Sequence, residues 1–132
     1  MSEPIAIREF FESYRQAFNR LDVDAIVGHF CTPATLSTND GYTVWSDAAQ
    51  VHKNITALCN LYRTLGFAGA ECEPLDILEQ PPRHAFANVL WTVHHREGLS
   101  PWRFRTAYNL RCEGGRWRIL LCTAYEEKVT TG

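Results

Sequence analysis

Apolar residues recur at helical spacing from the start of the chain. Ile7, Phe10, Phe11, Tyr14, Ala17, Phe18 and Leu21 make one stripe, which predicts a first helix from about Pro4 to Arg20. Asp22 reads as the N-cap of a short second helix with an inner face of Val23, Ile26, Val27 and Phe30, closed by Pro33. "ATLST" is rich in β-branched residues and predicts a strand, "NDG" a turn, and "YTVW" the returning strand. Ser46 and Asp47 cap a third helix whose stripe is Val51, Ile55, Leu58, Cys59, Tyr62 and Leu65, with Gly66 just past its end.

Beyond Gly66 the helical period stops. "ECEPLDIL" predicts a short strand that Pro74 restricts to an edge or a bulge, and Pro81-Pro82 breaks it. Long strands follow over about 84–96, 102–113 and 116–125. Helices first and a strand meander last predict an α+β fold, with helices laid against one face of a curved antiparallel sheet. There is no internal repeat, linker or low-complexity stretch in the 132 residues, so the expectation is one domain over 1–132.

The closing hairpin sets out its own faces. Gly114-Gly115 predicts a two-residue turn that puts Glu113 opposite Arg116. Counting outward, Leu110 faces Ile119, Tyr108 faces Leu121, Thr106 faces Thr123 and Phe104 faces Tyr125, all on one side of the sheet. That side is apolar and aromatic with hydroxyls among the rings, so it belongs under the helices. The opposite side carries Arg103, Arg105, Arg111 and Arg118, with cross-strand pairing expected for Arg103–Glu126 and Glu113–Arg116. Ala107, Leu120, Cys122 and Ala124 read as an outer apolar strip that could pack on a second copy in a homodimer.

Composition removes several function classes. A net charge of −2 makes no case for nucleic acid or an anionic membrane as partner, and the hairpin's rings and cations alternate to opposite faces. No apolar run nears the ~20 residues that span a bilayer. "MSEPIAIREFFE" lacks the basic flank and apolar core of a signal peptide, so a cytoplasmic location is expected. The five cysteines have no close pairing and read as small buried hydrophobes. No His and acid cluster has ligand spacing, so no metal is expected.

Other residues divide between packing and chemistry. Tyr14 lies on the first helix's apolar stripe, as a core tyrosine or a donor into a pocket. Tyr108 sits mid-strand facing inward, where its hydroxyl needs a partner, from the ligand or from the structure. In "ANVLWTVHHR" the inward set is Ala87, Val89, Trp91, Val93 and His95. This brings Trp91 to the pocket, with His95 as the sheet's acid–base residue near the rim. Asp40 could reach the pocket mouth but is first a turn residue. Trp45 is pocket wall or core. His29 and His52 read as surface residues, and Glu71, Glu73 and Asp76 as guards of an edge strand.

"FFESYRQAFNRLDVDAIVGHF" followed by "TPATLSTNDG", together with the closing "GGRWRILLCTAYEE", resembles nuclear transport factor 2-like proteins of the SnoaL-like, polyketide cyclase-related branch. The resemblance spans essentially the whole chain. It implies a cone of three N-terminal helices on a strongly curved mixed or antiparallel sheet enclosing a pocket, and a homodimer packed through the sheet's outer surface. It also implies a small-molecule-binding protein, either a cofactor-independent cyclase, isomerase or dehydratase acting by proton transfer on an apolar ring-containing carbonyl compound, or a non-catalytic binding or dimerisation module. Ketosteroid isomerases in this superfamily use an Asp base beside a Tyr and a protonated Asp as oxyanion donors. By rough alignment the Tyr falls on Tyr14, the base on Thr38 and the protonated Asp on Tyr108. Threonine cannot accept a substrate proton near neutral pH. Under this reading Tyr14 and Tyr108 hold the carbonyl oxygen and His95 or Asp40 moves protons. Trp45, Trp91, Thr106, Thr123 and Tyr125 line the ligand, and no cofactor takes part.

Overall fold

The computed structural model describes residues 3–96 and 100–126. Residues 1 and 2 of the opening stretch and Glu127 at the end of the closing one lie outside them. In order, the elements are α1 (Glu3–Asn19), α2 (Val23–Val27), β1 (Phe30–Thr38), β2 (Gly41–Trp45), α3 (Ala48–Thr64), β3 (Phe67–Gln80), β4 (His84–His95), β5 (Trp102–Glu113) and β6 (Arg116–Glu126). The six strands form one sheet in the order β2-β1-β6-β5-β4-β3. It is mixed, because β1 runs parallel to β6 while every other neighbouring pair is antiparallel. The fold is α+β, with three helices covering one face of a curved sheet. No helix among the described residues is long and apolar enough to cross a membrane.

The predicted stripes are the buried ones. On α1, Ile7, Phe10, Phe11, Tyr14, Ala17 and Phe18 are all buried, and on α3 so are Val51, Ile55 and Cys59. The Asp22 and Asp47 side chains accept from the Ala25 and Gln50 backbone N–H groups, which caps α2 and α3. β4 alternates without a fault, with Ala85, Ala87, Val89, Trp91, Val93 and His95 inward.

Other expectations shift. Phe30 begins β1 instead of lining α2, and Pro33 lies inside that strand. The strand expected at "ECEPLDIL" runs the full length of β3, with an irregularity between Pro74 and Asp76. It is an edge strand, as the proline requires. His29 is half-buried between the rings of Phe10 and Tyr14; its Nδ1 bonds the Ala25 carbonyl at 2.7 Å and its Nε2 bonds Ser13 Oγ at 2.9 Å. Burial lowers its pKa.

The largest difference is in the closing hairpin. The Gly114-Gly115 turn sets Glu113 opposite Arg116 and Leu110 opposite Ile119, as counted. Asn109 then pairs with Leu121, so Leu120 is a bulged extra residue, and the side-chain parity of β6 reverses. Tyr108 pairs with Cys122 and Thr106 with Ala124, and these turn inward. Leu121 and Thr123 go to the outer face with Asn109 and Ala107. A second irregularity makes Tyr125 an extra residue, with Glu126 opposite Arg105 and not opposite Arg103. Tyr125 crosses the outer face and its hydroxyl donates to Asn88 Oδ1 at 2.6 Å. The expected outer strip therefore loses Cys122 and Ala124. Near the turn, Arg111 pairs with Glu113 at 2.9 Å, within one strand.

The helix layer is clipped to the sheet by Asn19, the last residue of α1. Its Nδ2 donates to the Ala70 carbonyl at 2.9 Å and its Oδ1 accepts from the Ala70 N–H at 3.0 Å, as a neighbouring strand would. Gly69 permits the approach: its φ is +141°, and a Cβ there would stand 3.0 Å from Asn19 Oδ1. Removing the amide leaves both Ala70 groups part-buried and unpaired. Asn19→Ala is expected to cost about 1–3 kcal/mol in urea unfolding, and a loss below about 0.3 kcal/mol would show the clip to be idle.

Candidate functional site

The switch of parity in β6 shapes a hollow between α1, α3 and the sheet. Three cross-strand rows build its wall. Leu110, Ile119 and Phe30 form a deep row that is solidly buried. Tyr108, Cys122 and Leu36 form the next, and Thr106, Ala124 and Thr38 the one beyond. From this second row outward the space is open, in a cavity of about 440 Å³. Drug-sized ligands occupy pockets of this class, roughly 300–1,000 Å³. Trp91, Trp102 and Phe104 flank it from β4 and β5, and Leu58, Leu61 and Tyr62 reach in from α3.

Its polar groups are few, and most are hydroxyls, of Tyr14, Thr38, Tyr62, Thr106 and Tyr108. Tyr14 comes from α1 and Tyr108 from β5, with ring centroids 6.1 Å apart and planes near perpendicular. Trp91 packs on the Tyr14 ring at 5.9 Å, and its Nε1–H donates to Tyr108 Oη at 2.8 Å. Tyr108 Oη is also near enough to Tyr14 and to Cys122 to favour their charged forms as a donor. Burial outweighs this and holds the pKa of both phenols well above the usual tyrosine range. Burial also pushes the Cys122 thiol up to about 12, so it stays protonated and is a poor nucleophile. Thr106 is buried, and Thr38 Oγ1 accepts from the Asp40 N–H at 3.2 Å. No carboxylate or imidazole is among the lining residues described.

The residues singled out in the sequence therefore separate. Tyr14, Tyr108, Trp91 and Thr106 meet at the cavity, and Thr38 joins them at its edge. Thr123 and Tyr125 lie on the other side of the sheet, because the Leu120 bulge reverses the count. Asp40 is exposed in the β1–β2 turn and does not line the cavity. Trp45 is core: it is buried, its ring meets Phe30 at 5.7 Å, and it too is outside the lining. His95 is buried one ring behind the wall, 4.4 Å from the Trp102 centroid, with no hydrogen-bond partner for either ring nitrogen among the described residues. The counted register hid Cys122 and Ala124. "ILLC" is apolar at four successive positions, so hydrophobicity carries no signal for which alternate pair turns inward.

Solved structures of similar shape cover nearly the whole chain. An NTF-2 like protein of unknown function from Shewanella oneidensis MR-1 superposes with a TM-score of 0.78 at 15% identity, over 95% of this chain and 100% of its own. A protein of unknown function with a cystatin-like fold from Nostoc punctiforme gives 0.73 at 16%, over 95% and 91%. A ketosteroid isomerase-like protein from Erwinia carotovora gives 0.73 at 16%, over 96% and 98%. At such identities the likeness is one of fold. No curated protein matches the sequence. The sequence model described as "NTF2-like protein (DUF6841)" matches residues 2–127, nearly all of the chain that builds the helix layer, the sheet and the hollow between them, and the protein belongs to that NTF2-like family.

Proposed function

We propose that this protein binds a small, apolar, ring-containing carbonyl compound in the cavity between its helices and its sheet. One observation carries the reading: two buried phenols face a mainly apolar hollow that has hydroxyls but, among the described residues, no fixed anion. Filling this space with Val and Leu would avoid the cost of burying hydroxyls, which is recovered when an acceptor oxygen meets them. The apolar wall of Trp91, Trp102 and Phe104 supplies the ring surface.

Calorimetry with 1-tetralone, a two-ring ketone, against tetralin, its hydrocarbon, tests this. Tyr14→Phe and Tyr108→Phe are each expected to weaken the ketone about five- to tenfold, one hydrogen bond's worth, and to leave the hydrocarbon unchanged. A parent that binds neither compound, or variants that weaken both alike, would end the reading. The pH dependence has a definite sign. A phenol donates only while protonated, so its contribution is present below its pKa and lost above it. Both pKa values are raised, so ketone affinity is expected to stay level from neutral pH to about 10, where an ordinary tyrosine ionises.

A proton-transfer enzyme is a second reading, favoured by His95. Its buried imidazole has no hydrogen-bond partner among the described residues and sits against Trp102, itself part of the cavity wall. The name of the Erwinia protein accords with chemistry of this type. In deuterium oxide, the parent is expected to exchange the hydrogens next to the 1-tetralone carbonyl faster than buffer does. His95→Ala is expected to abolish this without changing affinity. A parent no faster than buffer leaves the protein a binder only.

The outer sheet face is the proposed contact of a homodimer. Tyr42 and Val44 of β2 and Leu78 of β3 are exposed, and half-buried Phe86, Leu90 and Leu121 lie between them. Sedimentation is expected to show a dimer that Leu90→Asp splits. A parent that sediments as a monomer would refute it.

A further inference from the structure

We propose that Trp91 is a positioning residue that fixes the direction of the hydroxyl protons in the cavity, and so makes the site select acceptor ligands over donor ligands. The proposal rests on the reading of the cavity as a ligand site. Its ground is the buried contact of 2.8 Å from Trp91 Nε1 to Tyr108 Oη.

An indole N–H can only donate, whereas a phenol both donates and accepts. Tyr108 therefore receives from Trp91, and its own proton must turn elsewhere. The groups beside it are Tyr14 Oη, Cys122 Sγ and the cavity. If the proton goes to Tyr14, the Tyr14 proton is the one left over. If it goes to the cavity, it meets the ligand directly. If it goes to Cys122, the Tyr14 proton again remains for the ligand. In each case a phenol donor faces the ligand, and the Tyr108 oxygen that could have accepted from it is occupied by the Trp91 N–H. Hydrogen bonds in series also polarise one another, so the indole strengthens the donor it feeds. An alcohol's proton finds the Tyr108 oxygen taken and must turn to a hydroxyl of Thr38, Thr106 or Tyr62, whereas a ketone has no proton to place.

Two measurements decide the matter. The first needs no ligand. In the ¹⁵N–¹H spectrum of the four indoles, Tyr108→Phe is expected to shift the Trp91 resonance upfield and speed its exchange, leaving the other three in place. The signal is assigned by its absence in Trp91→Phe, and an unmoved Trp91 signal overturns the proposal. The second compares 1-tetralone with 1-tetralol, nearly equal in shape. The parent is expected to prefer the ketone, and Trp91→Phe to cut that preference about fivefold and return the bound carbonyl stretch toward its free frequency. Equal weakening of ketone and alcohol, with the carbonyl band unmoved, would make Trp91 a packing residue only and overturn the proposal. A parent that binds neither compound would bring down the ligand reading, and the indole spectrum would still decide the hydroxyl direction.

Discussion

The hollow in this protein depends on one extra residue in β6. Ahead of the Leu120 bulge, β6 presents Ile119 to the interior, and beyond it Cys122 and Ala124. An unbroken strand would have turned Leu121, Thr123 and Tyr125 inward instead. Leu121 in place of Cys122 and Thr123 in place of Ala124 would each add two heavy atoms to the wall, and Tyr125 would add a whole ring. The bulge keeps the strand paired on both sides while exchanging bulky groups for small ones. It also sends the Tyr125 ring across β5 at Ala107, a residue small enough to pass over, to a partner on β4.

Space alone would not make a site. The cavity wall is apolar over most of its extent, and its phenols come from elements far apart in the chain. Tyr14 is carried by the α1 stripe, pinned at the helix's end by Asn19, and Tyr108 by the centre of the sheet. Phe11 packs on Tyr108 at 5.1 Å, and Phe18 on Tyr14 at the same distance. Rings held on several sides have little freedom to turn, which keeps their hydroxyl oxygens in place. The burial that fixes them also keeps them protonated, so rigidity and chemistry have a common cause.

Much of this was legible in the residues. Helical spacing marked the α1 and α3 stripes, and Gly114-Gly115 set the start of the last hairpin correctly. The alternation of small and large residues in "AFANVLWTVHH" told the inner face of β4 from the outer. Tyr14, Tyr108, Trp91 and Thr106 were found because each sits on a face that periodicity alone defines. Thr123 and Tyr125 were misplaced because counting assumes an unbroken ladder. A bulge is settled by pairing on both sides of a strand, and β1, one of those neighbours, pairs its Phe30 with Ile119 from eighty-nine positions away, beyond the reach of any local pattern. The Trp91–Tyr108 bond was likewise out of reach, since it joins side chains four positions apart along the paired strands.

The amide of Asn19 has an effect on the molecule's behaviour among its own kind. Of the two strands that end the sheet, β3 is the longer, and here a side chain occupies the main-chain groups of Ala70 that a foreign strand would seek. Acidic residues at Glu71, Glu73 and Asp76 extend that protection along the same strand. The other border, β2, has five residues and ends at a buried tryptophan. Unwanted strand addition and fibre growth are thus left with a short template on one side and a blocked one on the other.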